Sequence, residues 1–197
     1  VPDQAGMDAA FQDVFSDYNL QQRLDILGYG SRDAYLEAEP TIEAKAKDMV
    51  DHYLTHVFPN GYKAQVVATS REAAVRYKKH LDAALATAIQ KLEQANPRKL
   101  DVTQLKAMKT DAVISGSHND LPHLKEFSDG SRHEASIKSF KMSFGSEEQG
   151  VNGDMGILIV NNMLLTGFDA PVEQVMYLDK VVVAHNLLQA IARVNRV

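Results

Sequence analysis

KAQVVATSREAAVRYKKHLDA, residues 63–83, sets a continuous apolar run, AQVVAT (64–69), directly against a serine and a stretch of helical period. Six residues without polar alternation read as a strand covered on both faces. Ser70 suits a helix N-cap, because its hydroxyl can accept one of the first unpaired amides. The helix is expected from Arg71 to about Gln94, closed by Asn96-Pro97. A buried strand running straight into a helix is the repeating unit of a parallel sheet with crossover connections.

Outward from this unit the rhythm repeats. DAVIS (111–115), GILIV (156–160) and QVMYLD (174–179) read as further strands. Between them, residues 121–142 are helical in pattern with a break at Asp129-Gly130, and 145–156 is a glycine-rich, acidic loop. A terminal helix begins at about His185. Upstream, a helix starts at Pro40-Thr41, carries Ile42, Met49, Val50, Tyr53, Leu54 and Val57 as its apolar stripe, and stops at Pro59-Asn60-Gly61. Before it, Phe11, Val14, Phe15 and Tyr18 recur at helical spacing until Gly28 and Gly30 interrupt them. The expected fold class is therefore α/β, three-layered, with a mainly parallel sheet and an N-terminal helical appendage. The expected division is an appendage over 1–39 and one domain over 40–197.

Composition narrows the function. A chain of 197 residues with 45% hydrophobic and 24% charged residues has the mixture of a folded domain, enough for one core and a modest addition. The absence of cysteine excludes disulfides and thiolate metal sites and favours a cytoplasmic setting. No leader pattern and no apolar run of spanning length is visible, so neither secretion nor a membrane is expected. The net charge of −5 means that any nucleic-acid contact must come from a local groove rather than from the overall field.

Candidate chemistry gathers in the last forty residues. TGFDAP (166–171) combines a glycine that admits a close backbone approach with Asp169, which could meet a ribose hydroxyl or an arginine at the carboxyl end of the sheet. A strand-to-helix turn with a capping aspartate reads the same letters, taken alone, better. On the terminal helix, Gln189, Arg193 and Arg196 follow one face, opposite Leu187, Ile191 and Val194. Two guanidinium forks so aligned can clamp a transferring phosphoryl group, and a solvated helix face is the alternative. His52 and His56 stand four apart, but Tyr53 replaces the glutamate of H-E-x-x-H. Together with His118, His123 and His133 they are read as surface histidines, and no metal site is expected. A nuclease pattern forced onto Pro2-Asp3 and Glu43-Ala44-Lys45 is rejected, because Glu43 and Lys45 fall in a helical pattern.

The ordered set LLTGFDAP (164–171), YLDK (177–180) and LLQAIARVNR (187–196) resembles motifs V and VI of superfamily 2 helicases, in the wording of type I restriction-enzyme R subunits. KAQVVATSREAAVRYKKHLDA resembles the motif IV strand and helix, and DAVISGSHND (111–120) the strand after it. The resemblance covers roughly 40–197, with nothing specific over 84–110 and 117–150. It implies the second RecA-like domain of an ATP-dependent double-stranded DNA translocase. Arg196 would be its arginine finger and Arg193 the partner at the γ-phosphate. Gly167, Asp169 and Gln189 would stand at the nucleotide, and Ser70, Arg71, Asn161 and Thr166 at the DNA backbone. Ala192 departs from the glycine that many superfamily 2 proteins carry there.

No G-x-x-x-x-G-K-[ST] is present, so ATP and magnesium would be bound mainly by a first RecA-like domain, and the isolated chain is expected to be inactive. The chain stops at Val197 within a periodic helix, which is expected of a truncated domain. Implied partners are the first RecA-like and nuclease domains of the same polypeptide and the modification and specificity subunits. The alternatives are another superfamily 2 helicase domain or a non-catalytic α/β interaction domain.

Overall fold

Lys63–Ala68 forms the first strand, β1, and all six of its residues are buried, as a strand covered on both faces requires. The structure, a computed structural model, describes residues 34–94, 100–164 and 168–180. The chain divides into two compact units, Val1–Tyr35 and Leu36–Val197, and the elements below belong to the second. The helical stretch expected before residue 40 lies, as far as residue 33, outside the described residues. The helix expected from His185 lies outside them as well.

Helix α1, Glu39–His52, carries proline in its first turn and buries Ile42, Ala46 and Val50, one residue per turn on a single stripe. Its end loosens into a π-helical turn, Tyr53–Val57, and a 3₁₀ turn, Phe58–Asn60. Gly61 then closes the segment in the left-handed region at φ 75°. Helix α2, Arg71–Gln94, buries Ala73, Ala74, Tyr77, Leu81 and Leu85. Helix α3, Val102–Ala107, is capped by Asp101, which accepts from Thr103 N (2.9 Å) and Gln104 N (3.1 Å). Strand β2 is Lys109–Val113. The short α4, Pro122–Lys125, passes through a 3₁₀ turn into α5, Gly130–Lys141, whose N-cap Asp129 accepts from Arg132 N at 2.9 Å. Strands β3, Glu147–Glu148, and β4, Val151–Asn152, precede β5, Met155–Val160, and β6, Glu173–Asp179.

Among the described residues the main sheet has the order β2-β5-β1-β6, and its three pairings are all parallel. Ala64, Val66, Ala112, Ile157 and Ile159 pack with α1 and α2 on one face. Val67, Val113, Leu158 and Val160 pack with Phe140 of α5 and Phe168 on the other. Helices on both faces of a parallel sheet make the fold α/β with three layers. No helix among the described residues is long and apolar enough to cross a membrane.

Two elements differ from the sequence reading. Residues 145–156 are not an open loop, because β3 and β4 pair antiparallel with Glu147 opposite Asn152. The turn places Gln149 at φ 51° and Gly150 at φ 75°, the two positive angles of a tight hairpin turn whose twist matches its strands. Helix α3 also went unread: six residues are too few for a hydrophobic period to show.

Candidate functional site

Because the four strands run the same way, Ala68, Val113, Val160 and Asp179 end along one edge of the sheet, where open α/β sheets hold their ligands. At the end of β1 the chain turns into α2 through Ser70. Its Oγ accepts from Ala73 N (3.0 Å) and its carbonyl from Ala74 N (3.0 Å), so the expected N-cap is formed.

Arg71, the first residue of α2, reaches across to the end of β2. Nη1 donates to Ser115 O at 2.9 Å and to Asp120 Oδ2 at 2.8 Å, and lies 2.7 Å from Asp120 Oδ1. Asp120 also accepts from Ser117 N at 2.6 Å. The side chain of Asp120 is 2% exposed while that of Arg71 is 29% exposed, so the pair is sealed at the carboxylate and open at the guanidinium. Burial pushes the Asp120 carboxyl up. The Ser117 amide and the Arg71 guanidinium outweigh this and hold it below the usual carboxylate range. The intervening residues Ser115 to Asn119 are exposed.

The paired asparagines at the end of β5 tie this strand to its neighbours. Asn161 Nδ2 donates to Ala68 O and Thr69 O, both at 3.0 Å. Both amide hydrogens are thereby used on carbonyls, and the arrangement fits a residue that fixes the 68–70 turn more than one that donates to a phosphate. Asn162 Oδ1 accepts from Lys180 Nζ. Since β5 and β6 flank β1 on opposite sides, this bond passes across the tip of β1. Burial lowers the Lys180 ammonium. Beside it, Asp179 accepts from Tyr77 OH (2.6 Å) of α2 and from Lys45 Nζ (2.5 Å) of α1, which anchors β6 to both helices. Burial first, and the Asp179 carboxylate second, push the Tyr77 phenol up.

Phe168 is buried and stacks on Phe140 with ring centres 6.1 Å apart, while the adjacent Asp169 is exposed. Upstream, Leu164 adopts φ 62°, a conformation that costs a branched side chain energy. Thr166, Gly167, Gln189, Arg193 and Arg196 lie outside the described residues. Among the expected site residues, then, Ser70, Arg71 and Asn161 gather at one edge. Sequence reasoning missed Asp120, Asn162 and Lys180 in this cluster. Asp120 stood inside the quoted DAVISGSHND, but its partner Arg71 lies too far along the chain for spacing to reveal the pair. Among the described residues no group of three or more histidines and carboxylates could hold a metal ion.

The family model described as type I restriction enzyme subunit R domain 3 matches residues 42–197. The MjaVIIP type I restriction enzyme endonuclease subunit of Methanocaldococcus jannaschii is 34% identical over 184 residues, which cover 91% of this chain and 16% of that protein. The HindI endonuclease subunit of Haemophilus influenzae is 44% identical over 85 residues, covering 43% of this chain and 7% of that one. The SauCOLORF180P endonuclease subunit of Staphylococcus aureus strain COL is 56% identical over 41 residues, covering 21% and 4%. The chain thus spans less than a fifth of the length of each of these relatives.

Proposed function

This chain belongs to the type I restriction enzyme subunit R domain 3 family, and from that premise we propose that it is the second RecA-like half of an ATP-driven motor that moves double-stranded DNA. The observation that carries the reading is the assembly of Ser70, Arg71 and Asn161 with the exposed residues 115–119 at the carboxyl edge. A partly exposed guanidinium beside exposed loop backbone suits phosphate oxygens, which fix position on a duplex without reading its sequence.

ATP with magnesium, bound mainly by a first RecA-like domain of the same polypeptide, supplies the free energy. The described part of TGFDAP fits a place beside that nucleotide: Phe168 anchors the segment in the core and leaves Asp169 exposed at the edge. Gly167 allows close backbone approach, and Gln189 stands between nucleotide and DNA groove. Arg193 and Arg196 supply fixed positive charge where the transferring phosphoryl group gathers negative charge. Thr166 joins Ser70 and Arg71 on the DNA wall, and Asn161 positions them. The partners in this reading are double-stranded DNA, the nuclease domain of the same polypeptide, and the modification and specificity subunits.

The test is Arg196→Ala in the intact subunit. Turnover of ATP should fall roughly a thousandfold or more, with nucleotide affinity nearly unchanged. Lysine should not restore it, because a point charge on a flexible stem lacks the planar fork. Translocation and cleavage that depends on it should fail together. Near-normal turnover in a variant with native circular dichroism would leave the domain a non-catalytic one.

A further inference from the structure

We propose that Asp120 is a positioning residue that aims the Arg71 guanidinium at the phosphodiester backbone of DNA. The inference rests on the DNA-wall reading of the carboxyl edge and assigns the group that makes Arg71 fit for it.

The geometry of two arginine–aspartate pairs in this domain carries the argument. Arg132, on α5, spends its fork on Asp111: Nε lies 3.2 and 3.1 Å from the two carboxylate oxygens and Nη2 2.6 Å from Oδ1. Its remaining nitrogen, Nη1, donates to Glu126 at 3.0 Å, and the guanidinium lies over the Phe127 ring at 4.6 Å. Every nitrogen of Arg132 is thus engaged, and that pair is a closed tie between α5 and β2. Arg71 is held the other way. Asp120 and Ser115 O meet it end-on through Nη1 alone, and among the described residues no hydrogen bond holds Nε or Nη2. Those two nitrogens form the edge of the fork that matches a pair of phosphate oxygens.

Asp120 is itself in no position to meet solvent or a ligand, since its side chain is 2% exposed and Ser117 N fixes its orientation at 2.6 Å. A sealed carboxylate that grips only one nitrogen sets the direction of the guanidinium plane and keeps the stem from wandering. Without it a long side chain at the start of α2 would sample many rotamers, and each phosphate contact would have to overcome that entropy. The same carboxylate also braces the exposed residues 115–119 beside Arg71.

The experiment measures binding of a short duplex of random sequence to the intact restriction subunit over a range of salt concentrations. Arg71→Ala should weaken binding roughly tenfold at ~0.1 M salt and lower the slope of log K against log salt by about one, the signature of a single phosphate contact. Asp120→Asn, isosteric and uncharged, should weaken binding in the same direction and lower the slope toward that of Arg71→Ala, although it removes a negative charge. The double variant Arg71→Ala/Asp120→Asn should bind no more weakly than Arg71→Ala. Glu72→Gln, which removes a half-buried carboxylate of the same helix turn that pairs with Arg76 and His123 rather than with Arg71, is the charge-matched control and should not weaken binding. Should Asp120→Asn fail to fold, Asp120→Glu, which keeps the charge but displaces Nη1 by a methylene, should show the same loss.

Binding by folded Asp120→Asn that equals or exceeds the wild type overturns the positioning role, and so does a loss that persists in the Arg71→Ala background. If Arg71→Ala itself leaves affinity and slope unchanged, the DNA-wall reading of this edge is what fails.

Discussion

Lys63 opens β1 with its ammonium enclosed, donating to Ser139 O at 2.9 Å and Gly153 O at 3.2 Å, 4.7 Å from the centre of the Phe144 ring. Burial lowers its pKa to about 8, and the nearby Asp154 carboxylate offsets only part of that. A lysine that releases its proton near pH 8 when folded but near 10.5 when unfolded makes the unfolded state the better proton binder between those values, so its contribution to stability rises with pH across that window. Relative to Lys63→Met, the wild type should gain on the order of 1–3 kcal/mol between pH 8 and 10 in denaturant titrations. A difference that stays flat would show the ammonium to be well solvated. Nothing in KAQVVA announces this lysine as buried, because strand patterning marks a polar residue at a strand end as exposed. Gln65, inside the run read as covered on both faces, is fully buried, and among the described residues neither of its amide atoms has a hydrogen-bond partner. The N-cap was more open to reading, since Ser70 declares itself by standing between an apolar run and a helical period, and the structure makes it the cap.

Strands and long helices were legible because each carries a period or a terminator. The end of β1 and the start of α2 are set by one serine, and Pro40 and Gly61 bracket the helical segment that precedes β1. The β3–β4 hairpin was not legible, since two-residue strands carry no alternation and its order comes from the rest of the fold. Ser139 of α5 donates to Asn152 O (2.5 Å) and accepts from Met155 N (3.0 Å), while Lys138 donates to Gln149 Oε1 at 2.7 Å. Gly153 leaves this hairpin against the segment after α5, where a Cβ would lie 2.2 Å from Ser143 O and 2.8 Å from Ser146 Oγ. Gly153→Ala should therefore destabilise the domain by about 1–3 kcal/mol, the range for overpacking against backbone that cannot yield. Gly130→Ala, at the start of α5 with nothing within 4 Å of the new methyl, should be neutral or stabilise by roughly 0.4–1 kcal/mol. Thermal melts of the two variants check the pair, and equal melting temperatures would refute the close approach at Gly153.

At the scale of the molecule, the fold class was readable from four apolar runs separated by helical stretches, whereas the neighbour relations of those strands were not: sequence order gives β1 then β2, and the sheet places β5 between them. The absence of a phosphate-binding loop from the 197 residues has its own consequence for the whole chain. Alone it should neither turn over ATP nor bind it with micromolar affinity, and calorimetry on the purified chain decides the matter. The strand order also governs how the domain can come into being on the ribosome. Among the described residues, every pairing in the main sheet requires β5 or β6, which follow β1 and β2 in the chain. While β1, α1, α2 and β2 emerge, no two of the available strands are partners, and their apolar faces wait for a centre that does not yet exist. Synthesis up to Met155 thus leaves β1 and β2 without a partner strand in the main sheet, and the next six residues, Met155–Val160, supply the strand that pairs with both. A pause in translation before that point prolongs the interval in which β1 and β2 stand unpaired.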